Sequence, residues 1–198
     1  MPKCRLFLVV PAGLDARSGQ PLVAAALSGG DVASVLISAG PNQVEMAKIL
    51  KPLSRSHDAA LLLEGDAASS LKLGADGVQL EAETSAYSQA RVLLGEEAIV
   101  GADCQASRHL AMTMGELGAD YIGFSGLTPA ESGSIIAWWA RIFEVPCVAL
   151  DPAAEADARV FVADGADFIR PPDSMWRDES TAAVTVKSYN ALIGEILR

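Results

Sequence analysis

The chain has 198 residues, 51% of them apolar and 20% charged, enough to bury a full core and most simply one domain. A formal net charge of -10 leaves no basic stripe for a phosphate backbone, which argues against a nucleic-acid partner. No uncharged apolar run reaches the roughly 20 residues of a membrane span, and the cysteines Cys4, Cys104 and Cys147 lack a paired metal spacing, so a reduced, cytoplasmic protein with no membrane partner is expected.

The opening Met1-Pro2-Lys3-Cys4 leads into Arg5 to Val10, which resembles a signal peptide faintly and reads as a first strand. A helix over Ser18 to Leu27 ends before Gly29-Gly30, and a second strand runs from Ala33 to Ile37. Pro41 stands near the start of a helix to about Ser54, where its missing N–H costs little. Strand three is Ala59 to Leu63, and Asp66 is a plausible N-cap of the short helix ending at Leu73. Strand four, Gly77 to Leu80, is followed by a helix over Ser85 to Leu94, strand five at Ala98 to Gly101, and a helix over Ser107 to Leu117. Strand six is Tyr121 to Phe124, and Ser132 or Ser134 starts a helix through Phe143. Strand seven is Cys147 to Leu150, then a helix over Ala153 to Ala163, strand eight at Phe168 to Arg170, and a closing helix from about Thr181 to Leu197.

Three of the helix-to-strand junctions carry the same tripeptide, Gly74-Ala75-Asp76, Gly118-Ala119-Asp120 and Gly165-Ala166-Asp167. A glycine just past a helix takes the left-handed cap without a Cβ penalty, and the apolar run behind it suits a strand covered on both faces. The copies lie roughly 44 to 47 residues apart, about two helix-strand units each. This phasing predicts an α/β protein of the (β/α)8 barrel class, a TIM barrel in a single domain, with lean loops for its length. An open doubly wound sheet would carry fewer strands and a glycine-rich first turn, and Pro11-Ala12-Gly13-Leu14-Asp15 is not one.

The stretch from Ala60 through Leu73-Gly74-Ala75-Asp76-Gly77-Val78-Gln79-Leu80, with Ile99-Val100-Gly101 and Gly118 to Phe124, resembles the thiamine phosphate synthase/TenI family of phosphate-binding barrels. The resemblance covers most of the chain. It implies the joining of a pyrimidine pyrophosphate to a thiazole phosphate with magnesium, or, in the TenI branch, isomerisation of a thiazole phosphate.

The positions that carry the family's chemistry differ. Where relatives hold pyrophosphate with Gln-x-Arg-x-Lys at the end of strand two, paired cationic donors are needed, and the matching residues here read as Val35, Ile37 and Ala39. The family's magnesium aspartate in Asn-Asp after strand three becomes Glu64-Gly65, and its second, in Gly-Gln-x-Asp, becomes Glu81-Ala82-Glu83-Thr84. The Ser or His after strand five matches Asp103 or Gln105, and the Thr- and Lys-bearing phosphate loop matches Ser125 to Ser132. The Gly-Gly nest after strand seven is Asp151-Pro152, whose proline has no N–H for an anion.

Glu64, Asp66, Glu81, Glu83, Asp103, Asp151 and Asp173 all fall at or just after C-terminal strand ends, the face on which such barrels place their sites. Helix caps and first-turn acids account equally well for such a distribution. Arg170 is the main compensating charge expected at that rim, with Arg108 and Lys72 pointing outward from helices. Glu64, Gln79, Glu81 and Arg170 are therefore the expected ligand-binding residues, and Glu64, Glu83 and Asp103 a tentative metal set. Asp103 and Cys104 are the candidates for catalysis, a thiol there needing a neighbouring base. Neither His57 nor His109 is placed to serve it. Trp138 and Trp139, adjacent on one helix with Ile135, Ile136 and Phe143, cannot both face one direction, so one is expected to meet solvent or a partner, a route to a homo-oligomer.

Three readings follow. The first is a family member that keeps a small-molecule pocket but lacks the synthase residues. The second is a metal-dependent enzyme of altered chemistry, magnesium being the candidate ion, with Glu64, Glu81 or Glu83 and Asp103 as ligands. The third is a non-catalytic regulatory or partner-binding protein acting through the helix of Trp138 and Trp139.

Overall fold

Eight parallel strands pair in chain order and close on themselves, β8 returning to β1. The computed structural model describes residues 4–126 and 129–197. Met1-Pro2-Lys3, Leu127-Thr128 and Arg198 lie outside the described residues, as do the side chains of 129–134, so the phosphate-loop match is described at Ser125 and Gly126 alone. The elements are β1 (Arg5–Val10), α1 (Ala16–Ser28), β2 (Val32–Ile37), α2 (Gln43–Ser56), β3 (Ala60–Glu64), α3 (Ala67–Leu73), β4 (Gly77–Glu81) and α4 (Thr84–Leu94). They continue with β5 (Ile99–Asp103), α5 (Arg108–Glu116), β6 (Tyr121–Phe124), α6 (Pro129–Ile142), β7 (Cys147–Ala149), α7 (Glu155–Ala163), β8 (Phe168–Ile169), a 3-10 turn (Asp173–Arg177) and α8 (Glu179–Ile196). No helix among the described residues is long and apolar enough to cross a membrane.

Helix starts differ from expectation where a local cap was overlooked. Asp15 accepts N–H bonds from Arg17 and Ser18, so α1 begins at Ala16 rather than Ser18. Asp178 likewise accepts from Thr181 N, and α8 begins at Glu179. In α6 the first helical residue is Pro129 rather than a position after Ser132 or Ser134, in keeping with proline's preorganised φ at that place.

The repeated tripeptide does more than end helices. Gly74, Gly118 and Gly165 have φ of 62°, 89° and 98°, the left-handed region where a Cβ is penalised. Each following aspartate then clips its strand to the one before. Asp76 N donates to Leu61 O while its Oδ2 accepts from Leu61 N at 2.7 Å. Asp120 makes the same pair with Val100, 2.7 Å from its N–H, and Asp167 with Cys147, 2.8 Å. The carboxylate thus replaces a backbone carbonyl at the base of the barrel, where the ladder would otherwise leave an N–H unpaired.

Strand alternation divides the core in two. Phe7, Val9, Leu36, Leu62, Tyr121 and Val148 meet inside the barrel. The opposite residues, Val35, Ile37, Leu61, Leu63 and Val78 among them, pack under the helices. The phase of β2 therefore differs from the one expected: Val35 and Ile37 face the helical layer, and the inward residues are Ser34 and Leu36, with Ser38 next in that phase.

Candidate functional site

At the C-terminal ends of β3, β4 and β5 a cavity of about 660 Å³ is lined by Glu64, Gln79, Glu81, Glu83, Asp103 and Gln105, with Ala39, Gly65, Leu80 and Ala86. Register builds it: Glu64 pairs with Gln79 and Glu81 with Asp103, so alternation turns these side chains from three neighbouring strands toward one space. Among the described residues, four of the lining side chains are carboxylates and none is a lysine or arginine.

The side chains of Glu64, Gln79, Glu83 and Asp103 are each held by hydrogen bonds. Glu64 Oε2 accepts from Ala39 N at 2.9 Å, and Gln43 Nε2 donates to Glu64 O and Ile37 O, tying the ends of β2 and β3 together. Buried Gln79 accepts from Tyr121 Oη at 3.0 Å. Tyr121 reaches it because Gly101 lies flat beneath its ring; a Cβ there would come within 2.0 Å of the ring. Burial pushes the Tyr121 phenol well above its ordinary value, and the carboxylates of Asp103, Glu64 and Asp120 add to the shift.

Asp103 is the most constrained member. Ser125 Oγ donates to both of its oxygens at 2.8 Å, and Gln105 N donates to Oδ1 at 2.9 Å, holding Gln105 at a φ of 50°. Burial nevertheless raises the Asp103 carboxyl above its ordinary 3.8, with Asp151 and Glu64 contributing by repulsion and the hydrogen bonds opposing. Because the folded-state value lies above the unfolded one, the native protein binds more protons between the two, and stability rises as pH falls through the folded-state value. Asp103→Asn is therefore expected to raise the melting temperature at pH 7 by about 1–3 °C, the gain disappearing as pH approaches 3.8. Thermal melts across that range check this, and an asparagine variant that melts lower at pH 7 would mean that the lost charge-assisted bonds outweigh burial.

The remaining expected residues are dispersed. Glu83 turns to cap α4, accepting from Ser85 N and Ala86 N, and the Ser85 hydroxyl bond holds its carboxyl below the usual range. Asp66 caps α3 in the same way. Among the described residues no group of three His, Cys, Asp or Glu side chains is placed to hold a metal ion, so the trio Glu64, Glu83 and Asp103 is not assembled as a ligand set.

Cys104 is fully buried under the helices, its thiol against Ala102 O, and burial pushes it up to about 12, the opposite of an activated nucleophile. Arg170 is at the rim but outside the cavity lining, bonded to Leu150 O and to Asp173. His57 is exposed beside Leu53 O. Trp139 is buried, stacked 3.9 Å from Phe143, and donates to Val145 O. Trp138 is half-buried, and Arg108, expected to point outward, lies over its ring at 4.7 Å. Sequence reasoning missed Ser125, Tyr121 and Gln43. The signal for the first two was their shared phase on β6, where Tyr121, Gly123 and Ser125 alternate inward.

A family model described as thiamine monophosphate synthase matches residues 6–170. The thiamine-phosphate synthase of Rhodospirillum centenum is 35% identical over 205 residues, covering 98% of this chain and 99% of that protein. That of Erythrobacter litoralis is 34% identical over 197 residues, covering 91% and 92%. Among solved structures, the thiamine phosphate pyrophosphorylase from Pyrococcus furiosus superposes with a TM-score of 0.82 at 22% identity, over 100% of this chain and 98% of that one, a likeness of fold.

Proposed function

The chain belongs to the thiamine monophosphate synthase family, and on that premise we propose that it binds a small molecule at the C-terminal mouth of the barrel without catalysing the synthase reaction for which its relatives are named. The observation that carries this reading is the cavity wall, which among the described residues holds Glu64, Glu81, Glu83 and Asp103 and no lysine or arginine. Two charges about 4 Å apart at an effective dielectric near 20 interact by roughly 4 kcal/mol, so a pyrophosphate entering this space meets repulsion rather than a cradle. β2 (Val32–Ile37) carries no lysine or arginine, and Asp151-Pro152 supplies no glycine nest. The wall instead offers acceptors, which suits a neutral or cationic molecule rich in N–H or O–H donors.

Titration calorimetry with inorganic pyrophosphate and phosphate tests the electrostatic core of this reading. Weak binding, with no saturation in the micromolar range, is expected; a micromolar dissociation constant without metal would sink it. Metal separates it from a metal-dependent enzyme. An ion held at ten times its dissociation constant would add about 1.4 kcal/mol of stability. With the carboxylates of Glu64, Glu83 and Asp103 already engaged by N–H and O–H donors, the melting temperature is expected to stay unchanged in millimolar magnesium, calcium or manganese. A clear rise, abolished in Glu64→Gln, would favour the metal enzyme instead.

A further inference from the structure

The opposite, N-terminal end of the barrel holds a second cavity, of about 220 Å³, that the mouth does not share. Phe7, Leu62, Ile99, Tyr121 and Phe168 form apolar walls, and Ala33 and Ala60 stand where larger side chains would fill the space. Barrels of this class ordinarily fill their interior with layers of bulky side chains, so a hollow base is a departure that packing does not explain. Ser34 makes the hollow chemically specific. It lines this cavity, is 6% exposed, and its Oγ has no hydrogen-bond partner among the described residues. A desolvated hydroxyl without a partner is costly, and such orphans in native structures ask for an explanation.

The charges at the rim do not call for an ionic occupant. Arg5 is bonded to both oxygens of Asp31 and to Val32 O, and Asp120 to Arg91 and Val100 N. The Tyr121 hydroxyl is taken by Gln79. A water needs two to four polar partners, and beneath the rim the walls offer the Ser34 hydroxyl among apolar rings; an apolar cavity of about 150 Å³ is known to stay dry and take benzene.

We propose that the basal cavity is a binding site for a neutral, mainly apolar ring of phenol to indole size, whose single polar group hydrogen-bonds the Ser34 hydroxyl. The test uses phenol and toluene as probes, titrated into isotope-labelled protein and followed by backbone amide NMR. Saturable shifts at the base, around Ser34, Ala60 and Ile99, are expected for both. Ser34→Ala should weaken phenol about 5- to 10-fold, the value of one hydrogen bond, and leave toluene unchanged. Ala60→Leu, which fills the hollow, should lose both probes. Shifts that do not saturate, shifts confined to the mouth, or equal affinity of phenol for the parent and Ser34→Ala would each overturn the proposal. If Ala60→Leu fails to fold, the contrast between phenol and toluene on Ser34→Ala decides alone.

Discussion

Purified protein given the pyrimidine pyrophosphate, the thiazole phosphate and magnesium is expected to form thiamine phosphate no faster than a control without protein. The chemistry needs cationic donors on the pyrophosphate and an ion between it and the protein. Removing a single preorganised donor in an active site typically costs about 10²- to 10³-fold in rate, and on the proposed reading several are replaced together. β2 (Val32–Ile37) carries no lysine or arginine; at the ends of β3 and β5, Glu64 and Asp103 are bonded to Ala39 N and to Ser125 and Gln105 N. Multiplied, such losses are expected to leave no measurable turnover. Product formation above the control that disappears in Glu64→Gln and Asp103→Asn would show that the acidic mouth runs the reaction by another arrangement, and the proposal of a non-synthase pocket would fall.

The second large effect is expected at the base, from the repeated aspartates. Asp76→Ala, Asp120→Ala and Asp167→Ala each leave a strand N–H, of Leu61, Val100 or Cys147, without its carboxylate acceptor. Such a bond to a charged group contributes about 1.5–3 kcal/mol. At about 2–4 °C per kcal/mol for a chain of this size, melting temperatures should fall by about 3–12 °C. Asp120→Ala should be at the upper end, since it also removes the ion pair with Arg91, 2.6 Å away. Asparagine keeps an acceptor and should cost less at every position. It should be mildest at Asp167, where burial already pushes the carboxyl up and the charge is a burden. Three alanine variants melting within a degree of the parent would show that the barrel closes without these clips.

How much of this was legible without the fold can be argued from particular residues. The junctions at Gly74, Gly118 and Gly165 were readable because a left-handed cap and the strand behind it are local matters, decided within a few residues. Asp66 as a cap was readable for the same reason, whereas Asp15 and Asp178 were missed because an aspartate before a helix looks like any loop acid until its N–H partners are known. Glu83 shows the ambiguity in reverse: its spacing suits both a metal site across strands and a cap within its own helix, and the local bonds won.

The amino-acid sequence by itself determined the (β/α)8 class and the acidic character of the strand ends, since these depend on periodicity and residue type. The tertiary structure alone decided which way each side chain points. Parallel barrel strands are buried on both faces, so β2 reads Val-Ala-Ser-Val-Leu-Ile with no polar alternation to mark the inward phase. That single ambiguity matched Val35 and Ile37 to inward positions when Ser34 and Leu36 face the axis. The bonds that shape the mouth, Ser125 to Asp103 across 22 residues and Tyr121 to Gln79 across 42, join different strands. They come from closure of the barrel, a long-range event that no local pattern encodes.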